Sequence, residues 1–319
     1  IVTDPPYFKV KPNGWDNQWK GDEDYLKWLD HCLAQFWRVL KPAGSLYLFC
    51  GHRLASDIEI MMRERFNVLN HIIWAKPSGR WNGCNKESLR AYFPATERVL
   101  FAEHYQGPYR GKSDGYAEKE RELKQHIMAP LISYFRDARA ELGITAKQIA
   151  EATGKKNMVS HWFGASQWQL PNEADYRKLQ ALFSRIAAEK FQEQQLEQPH
   201  HQLVASYDSL NRKYSELLDE FKSLRRYFSV SVSVPYTDVW MHKPVQFYPG
   251  KHPCEKPADM LRQIINASSR PGDLVADFFM GSGSTIKAAM ALGRRALGVE
   301  LESERFNQTV KEINELVGK

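Results

Sequence analysis

Cysteine is scarce and unpatterned: 4 residues in a chain of 319, at Cys32, Cys50, Cys84 and Cys254, with no CxxC or other metal-ligand spacing. That argues against a disulfide scaffold or a zinc module, and predicts reduced, structural thiols in a cytosolic setting with no metal. No apolar run is long enough to span a bilayer, and no basic-then-apolar leader pattern opens the chain. An initiator methionine is also lacking, and the chain opens inside an apparent strand, so a short missing N-terminal piece is expected. What remains is globular in texture, 43% hydrophobic and 26% charged, with length for a large core in two or three domains. A net charge of +6 fits a polyanionic partner.

Tyr25, Trp28, Leu29, Cys32, Leu33, Phe36 and Leu40 form a stripe of helical spacing, stopped by Lys41-Pro42-Ala43-Gly44. A short apolar strand, Ser45–Phe49, follows. Next come a helix around Leu54–Arg65 and a strand through Asn67–Trp74. Strands alternating with helices at this spacing predict an α/β fold with a mostly parallel sheet. A Gly/Ser/Asn-rich loop, "AKPSGRWNGCNKESLR", then carries Arg80, Lys86 and Arg90, candidates to track phosphates, before "TERVLFAEH" returns to a strand. His52-Arg53, at the end of an earlier strand, is a further candidate for substrate or phosphate contact.

From about Leu123 to Phe228 the texture is helical. In "ELGITAKQIAEATGKKNMVSHWF" Thr145 reads as an N-cap and Gly154 as a stop, with a second helix over Asn157–Phe163. Two readings stay open, a DNA-reading helix-turn-helix and an ordinary helical hairpin. In the first, Lys155, Lys156, Asn157, Ser160 and His161 face DNA. Leu203, Tyr207, Leu210, Tyr214, Leu217, Phe221, Leu224 and Phe228 alternate spacings of four and three. This heptad seam predicts a helix packed on its neighbours or on a second copy in a homodimer. Sheet texture resumes at "SVSVSVPYTDVW", so the helical part, 128–228, splits one α/β domain into 1–127 and 229–319.

Two short segments carry the chemistry. Asp4-Pro5-Pro6-Tyr7 follows a strand, and its prolines hold a carboxylate, bare carbonyls and an aromatic face at fixed spacing. Leu274–Asp277 reads as a buried strand, Met280-Gly281-Ser282-Gly283 as a loop, Thr285–Leu292 as a helix, and Glu300 ends the following strand. Glycines there let a backbone approach a ligand, and a carboxylate at Glu300 can accept from two ribose hydroxyls. A dinucleotide fingerprint fails because Ile286 holds the third glycine position, and a P-loop fails because Ser284 follows Gly283. A nucleoside without a pyrophosphate remains, and S-adenosylmethionine fits that description.

Asp4-Pro5-Pro6-Tyr7, then "HPCEKPADMLRQIINASSRPGD", "ADFFMGSGST" and "GVELE", in that order, resemble the amino-group DNA methyltransferases of the permuted β class. The helical middle is similar to target-recognition insertions of prophage-encoded adenine enzymes, some of relaxed sequence preference. The resemblance implies a Rossmann-like, circularly permuted methyltransferase sheet, with S-adenosylmethionine as cofactor and double-stranded DNA as partner. It implies that Asp4 and the Pro5 carbonyl accept hydrogen bonds from an adenine amine, beside Pro6, while Tyr7 stacks on the flipped base. It further implies that Asp277, Phe279, Gly281, Ser282, Gly283 and Thr285 wrap the cofactor, that Glu300 holds its ribose, and that Lys256 lies near its methionine end. Phe278 stands where the family commonly has proline, and no acidic motif for the cofactor's adenine precedes Asp4. Adenine N6 is the expected target. A cytosine-N4 enzyme and a catalytically inactive helix-turn-helix protein are the alternatives.

Overall fold

The structure, a computed structural model, describes the chain except residues 42, 78–86, 88–89, 105–115, 166, 198–209, 225, 230–236, 249–250 and 318–319, and except the side chains of 116–127, 191–197, 223 and 317. The chain divides into two compact units, residues 1–111 with 226–319, and residues 112–225.

In the first unit β1 (Val2–Thr3) leads through α1 (Asp22–Val39) to β2 (Ser45–Gly51), its parallel neighbour. Then come α2 (Ala55–Arg63), β3 (Asn67–Ala75) and β4 (Thr96–Glu103). After the helical unit follow β5 (Val239–Met241), α8 (Ala258–Ser268), β6 (Leu274–Asp277), α9 (Ser284–Ala291), β7 (Arg295–Gly298) and α10 (Ser303–Val317). Among the described residues the strands order as β1-β2-β4-β3-β5, with β6 and β7 paired in parallel beside them. The larger sheet is mixed rather than mostly parallel, because β4 runs antiparallel to both β2 and β3. A parallel neighbour needs a crossover, whereas an antiparallel one needs only a return. At one end of the β3–β4 pair the Lys76 amide donates to the Ala95 carbonyl at 3.0 Å.

Period-two alternation in β2 divides the core into two layers. Leu46, Leu48 and Cys50 face α1 and α2 through Leu29, Leu33, Ile58 and Met62. Tyr47 and Phe49 face the opposite way, with Trp74 and Phe101, onto Met260, Leu261 and Ile264 of α8 and Ala288 of α9. Both faces are therefore covered and the strand ends are left for ligands, as open α/β sheets do.

The second unit holds α3 (Tyr116–Leu142), α4 (Ala146–Thr153), α5 (Val159–Phe163), α6 (Glu173–Glu197) and α7 (Tyr214–Leu224). The Thr145 hydroxyl and the Gln148 side chain close a capping box on α4, and Gly154 ends it at φ +75°, a left-handed conformation that suits glycine. The heptad expectation is corrected. Leu203 and Tyr207 lie outside the described residues, and Leu210 precedes the helix, which runs only from Tyr214 to Leu224. The Gln180 amide donates to the Leu210 and Arg212 carbonyls, and the Arg212 amide donates to the Tyr134 hydroxyl at 3.0 Å. These bonds hold the backbone there in a non-helical path. Phe228 leaves the seam altogether and stacks on Phe101 in the first unit, with ring centroids 5.5 Å apart. The other described seam residues pack into this unit's own core, so among the described residues they leave no stripe for a second copy.

Trp162 is the largest side chain fully buried in that core. Trp162→Ala is expected to cost the helical unit about 3–5 kcal/mol, read as faster amide exchange across α3–α6.

Candidate active site

Thr3, the last residue of β1, joins the two sequence-distant stretches of the sheet. Its hydroxyl donates to Asp277 Oδ1 at 2.9 Å and accepts from the Phe278 amide at 3.2 Å. The Asp4 corner and the glycine loop consequently line one cavity of about 440 Å³. Asp4, Pro5, Pro6 and Tyr7 form one wall, and Asp277, Phe279, Gly281, Ser282, Thr285 and Glu300 another, with Lys256 lining the same space. Gly283 does not line the cavity.

On the corner side, Asp4 Oδ2 is bound by the Lys256 ammonium. Asp4 Oδ1 is buried and has no hydrogen-bond partner among the described residues. The Tyr25 hydroxyl donates to the Pro6 carbonyl at 2.7 Å, fixing the corner from α1. Tyr7 packs its ring over Gly51, where even a Cβ would touch it at 3.4 Å, and its hydroxyl donates to Glu97 Oε2 at 3.1 Å. Lys256 lies 3.6 Å from Glu97 Oε2 and over the rings of Tyr7 and Phe49. Lys76 holds the other Glu97 oxygen.

Beyond Tyr7 the chain turns through two consecutive left-handed residues, Phe8 (φ 61°) and Lys9 (φ 60°). Neither is glycine, so the turn is strained by about 1–2 kcal/mol per residue. The buried Asp16 carboxylate holds it, accepting from the amides of Phe8 (2.8 Å), Val10 (2.7 Å) and Lys11 (2.6 Å). That loop brings Trp15 against His252, with near-parallel rings 6.5 Å apart.

On the loop side, Gly281 (φ +50°) and Gly283 (φ +70°) take left-handed conformations. A Cβ on Gly281 would press on the His252 ring at 3.1 Å, and one on Gly283 would collide with Thr309. Glu300 lies just past β7. It accepts from the Gly281 amide at 2.8 Å and the Glu302 amide at 3.0 Å, which ties the loop to the following turn. Each carboxylate oxygen keeps lone pairs for a ligand hydroxyl. Asp277 is turned inward, its Oδ1 occupied by Thr3 and by the Phe279 amide at 3.1 Å. Ser282 and Ser284 bond each other, and Thr285 is buried against Asp277.

Burial raises the Asp4 carboxyl, opposed by the Lys256 ammonium. Burial works against the Lys256 ammonium too, but Asp4 and Glu97 outweigh it and its pKa is raised. For Glu97, burial is outweighed by Lys256 and Lys76, and its pKa is lowered. His252 is lowered to about 4 by burial and by Arg305, so it is neutral at pH 7.

Among the described residues of the first unit, none of those assigned to DNA lines this cavity. Arg80 and Lys86 fall outside the described residues. Arg90 is exposed, donating to the Glu87 carbonyl, and Arg53 pairs with Asp22 at 2.7 Å. In the helical unit Lys155, Lys156, Asn157 and Ser160 are exposed. Lys155 pairs with Asp175 at 2.6 Å, and the half-buried His161 contacts the Gln167 carbonyl at 3.1 Å. Val159, Trp162 and Phe163 of the same segment face the core.

Sequence reasoning missed Glu97, Asp16, Trp15 and His252. Glu97 had no distinctive signal, since the same strand also carries Thr96, Arg98 and Glu103. His252 opens the quoted "HPCEKP" segment. Asp16, in a run of polar and aromatic loop residues, had none.

Burial raises Asp277 from 3.8 to about 6, with the Phe279 amide and the Thr285 and Thr3 hydroxyls pulling the other way. The native chain therefore holds that proton more tightly than the unfolded one. The stability this adds is full below pH 4 and lost as pH rises through 6, about 3 kcal/mol in all. Asp277→Asn removes the titration, so the stability of the native protein relative to this variant should fall between pH 4 and pH 7, measured by paired denaturant titrations.

A sequence model of the family described as DNA methylase, of the N6/N4 methyltransferase type, matches residues 1–311. The DNA adenine methyltransferase YhdJ of Escherichia coli (strain K12) is 24% identical over 319 residues, covering 98% of this chain and 75% of that protein. The type II methyltransferase M2.DpnII of Streptococcus pneumoniae is 46% identical over 70 residues, 21% of this chain and 26% of that protein's length. Among solved structures, the M1.HpyAVI–SAM complex aligns at a TM-score of 0.45 and 18% identity, over 98% of this chain and 87% of that one. By the family match along nearly its whole length, the chain belongs to the N6/N4 DNA methylases.

Proposed function

We propose that this chain transfers a methyl group from S-adenosylmethionine to the exocyclic N6 amine of an adenine flipped out of duplex DNA. The observation that carries the reading is Asp4 Oδ1, a buried carboxylate oxygen with no partner among the described residues, lining the same cavity as the Gly281 loop and Glu300. An unsatisfied buried acceptor costs about 1–3 kcal/mol, and an amine N–H removes that penalty.

The residues present fit the cofactor. Gly281 and Phe279 line the wall, and Glu300 offers lone pairs to ribose hydroxyls. S-adenosylmethionine bound there supplies an electrophilic sulfonium methyl. The amine lone pair is delocalised into the base ring and is a poor nucleophile. Asp4 Oδ1, with the Pro5 carbonyl, accepts from the amine and favours its pyramidal form as positive charge develops on nitrogen. Asp4 then takes the proton that the amine loses. Tyr7 offers the flipped base a stacking face, which offsets an unstacking cost of about a few kcal/mol.

Adenine is favoured over cytosine by the carboxylate at position 4, since the N4 enzymes more often carry serine there, and by the similarity to YhdJ, named as an adenine enzyme, along 98% of this chain. The order of motifs, corner first and glycine loop last, belongs to the permuted class. The exposed Lys156, Asn157 and Ser160 give the helical unit a polar face for DNA, and the enzyme is placed with that DNA in the cytoplasm.

Tritiated methyl incorporation into duplex DNA, followed by nucleoside mass spectrometry, tests the reading: N6-methyladenine is expected, and N4-methylcytosine or no product would sink it. Asp4→Ala should lower turnover by about 10²–10⁴-fold while DNA affinity in gel shifts stays near native. Because that change strips Lys256 of its partner, Asp4→Asn serves as the structurally milder check. Lys156→Ala should weaken binding to all sequences alike and reduce the slope of log Kd against log salt by about 1.

A further inference from the structure

We infer that Glu97 is a positioning residue of this site, holding Tyr7 and Lys256 with one carboxylate and thereby fixing both the stacking face and the amine acceptor. The inference rests on the methyl-transfer reading above and deepens it.

Glu97 stands on β4, a strand paired on both sides, opposite Gly51 of β2 and Trp74 of β3. Its backbone is thus as constrained as any in the sheet. Gly51 and Glu97 act on the same ring. The missing side chain at Gly51 admits the Tyr7 ring, and Glu97 Oε2 takes the Tyr7 hydroxyl at 3.1 Å. A ring seated on backbone and tethered at its hydroxyl has lost its main freedom to swing. The same oxygen lies 3.6 Å from the Lys256 ammonium, which binds Asp4 Oδ2. Lys76 anchors Oε1 from β3's end.

The charges explain why an acid is needed. Asp4 and Glu97 are matched by Lys256 and Lys76, so the formal charges of this largely buried cluster cancel. Without Glu97, Lys256 has Asp4 as its sole carboxylate among these, and an excess positive charge is left beside the acceptor. A buried cation lacking part of its compensation is costly and relaxes its surroundings. The expected relaxation moves Asp4 Oδ2, and with it the direction in which Oδ1 points.

The test uses the full chain and duplex DNA, with 2-aminopurine at the target position for the flipping assay and adenine for turnover. Glu97→Gln keeps the shape and an acceptor for Tyr7 but removes the charge; Tyr7→Phe keeps every charge and removes the tether. Glu97→Gln should lower kcat at least about tenfold while KM for DNA changes less than about threefold and the 2-aminopurine fluorescence rise persists. Tyr7→Phe should lower kcat by a smaller factor, and the double variant should fall short of the product of the two losses, the sign of a shared interaction. Glu97→Asp, which restores the charge, should recover part of the turnover. Where Glu97→Gln unfolds, Tyr7→Phe and Glu97→Asp still decide. Native-like kcat in Glu97→Gln, a loss confined to KM, or strict multiplicativity with Tyr7→Phe would overturn the role. A native enzyme that leaves adenine unmethylated would instead remove the underlying reading, and the inference with it.

Discussion

The buried ion pair between Asp4 and Lys256 is the contact on which the site depends. It joins residues 252 positions apart, one at the end of the first strand and one just before α8. Taking two charges out of water costs several kcal/mol per ion, and attraction between them recovers this only with good geometry and further partners. Such a pair adds little to stability. Here it also distinguishes the two oxygens of one carboxylate. Lys256 occupies Oδ2, and Oδ1 is left facing the cavity.

That selection has meaning only if the corner itself cannot move. Pro5 and Pro6 restrict the backbone from within, and Tyr25 holds the Pro6 carbonyl from outside. On the far side of Tyr7 two left-handed residues would relax at once were they free to. The three amide hydrogen bonds to Asp16 keep them in place and also close the wall that carries Trp15. On the near side, Thr3 binds Asp277 and the Phe278 amide, so the corner and the glycine loop share one anchor. A displacement of either would break hydrogen bonds that belong to both.

Local features of this architecture were legible in the sequence where one residue type has one dominant use. Thr145 and Gly154 bound α4 as read, since a capping hydroxyl and a left-handed glycine are both local choices. The strand Leu274–Asp277 and the α1 stripe followed from periodicity alone. Nonlocal features were not legible. The antiparallel course of β4 is a choice of pairing that no periodicity encodes. The heptad pattern read through Leu210 because spacing ignores the side chains that capture a backbone. Gln180 and Tyr134, distant in sequence, hold Leu210 and Arg212 out of the helix. Motif matching named Asp4 and Gly281, which line one cavity, but not Glu97, whose partners Tyr7, Lys76 and Lys256 meet only once the sheet is assembled.

Electrostatics then relates this geometry to the chemistry of an exocyclic amine. Such an amine is neutral on arrival, becomes positive as its bond to carbon forms, and must lose a proton. A carboxylate in water would meet that charge only after turning its hydration shell. Asp4 has a buried oxygen already aimed at the cavity and raised in basicity by burial, a rise that the Lys256 ammonium opposes. Lys256 alone would weaken that acceptor by drawing its charge away. Glu97 and Lys76 divide the pull, so the formal charges of the cluster cancel and the negative charge of Asp4 remains available at one oxygen. An alcohol in the same position could accept a hydrogen bond but could not take the proton at neutral pH, so a carboxylate at residue 4, with the cations and acid arranged behind it, would give an incoming amine an acceptor and a base in one group.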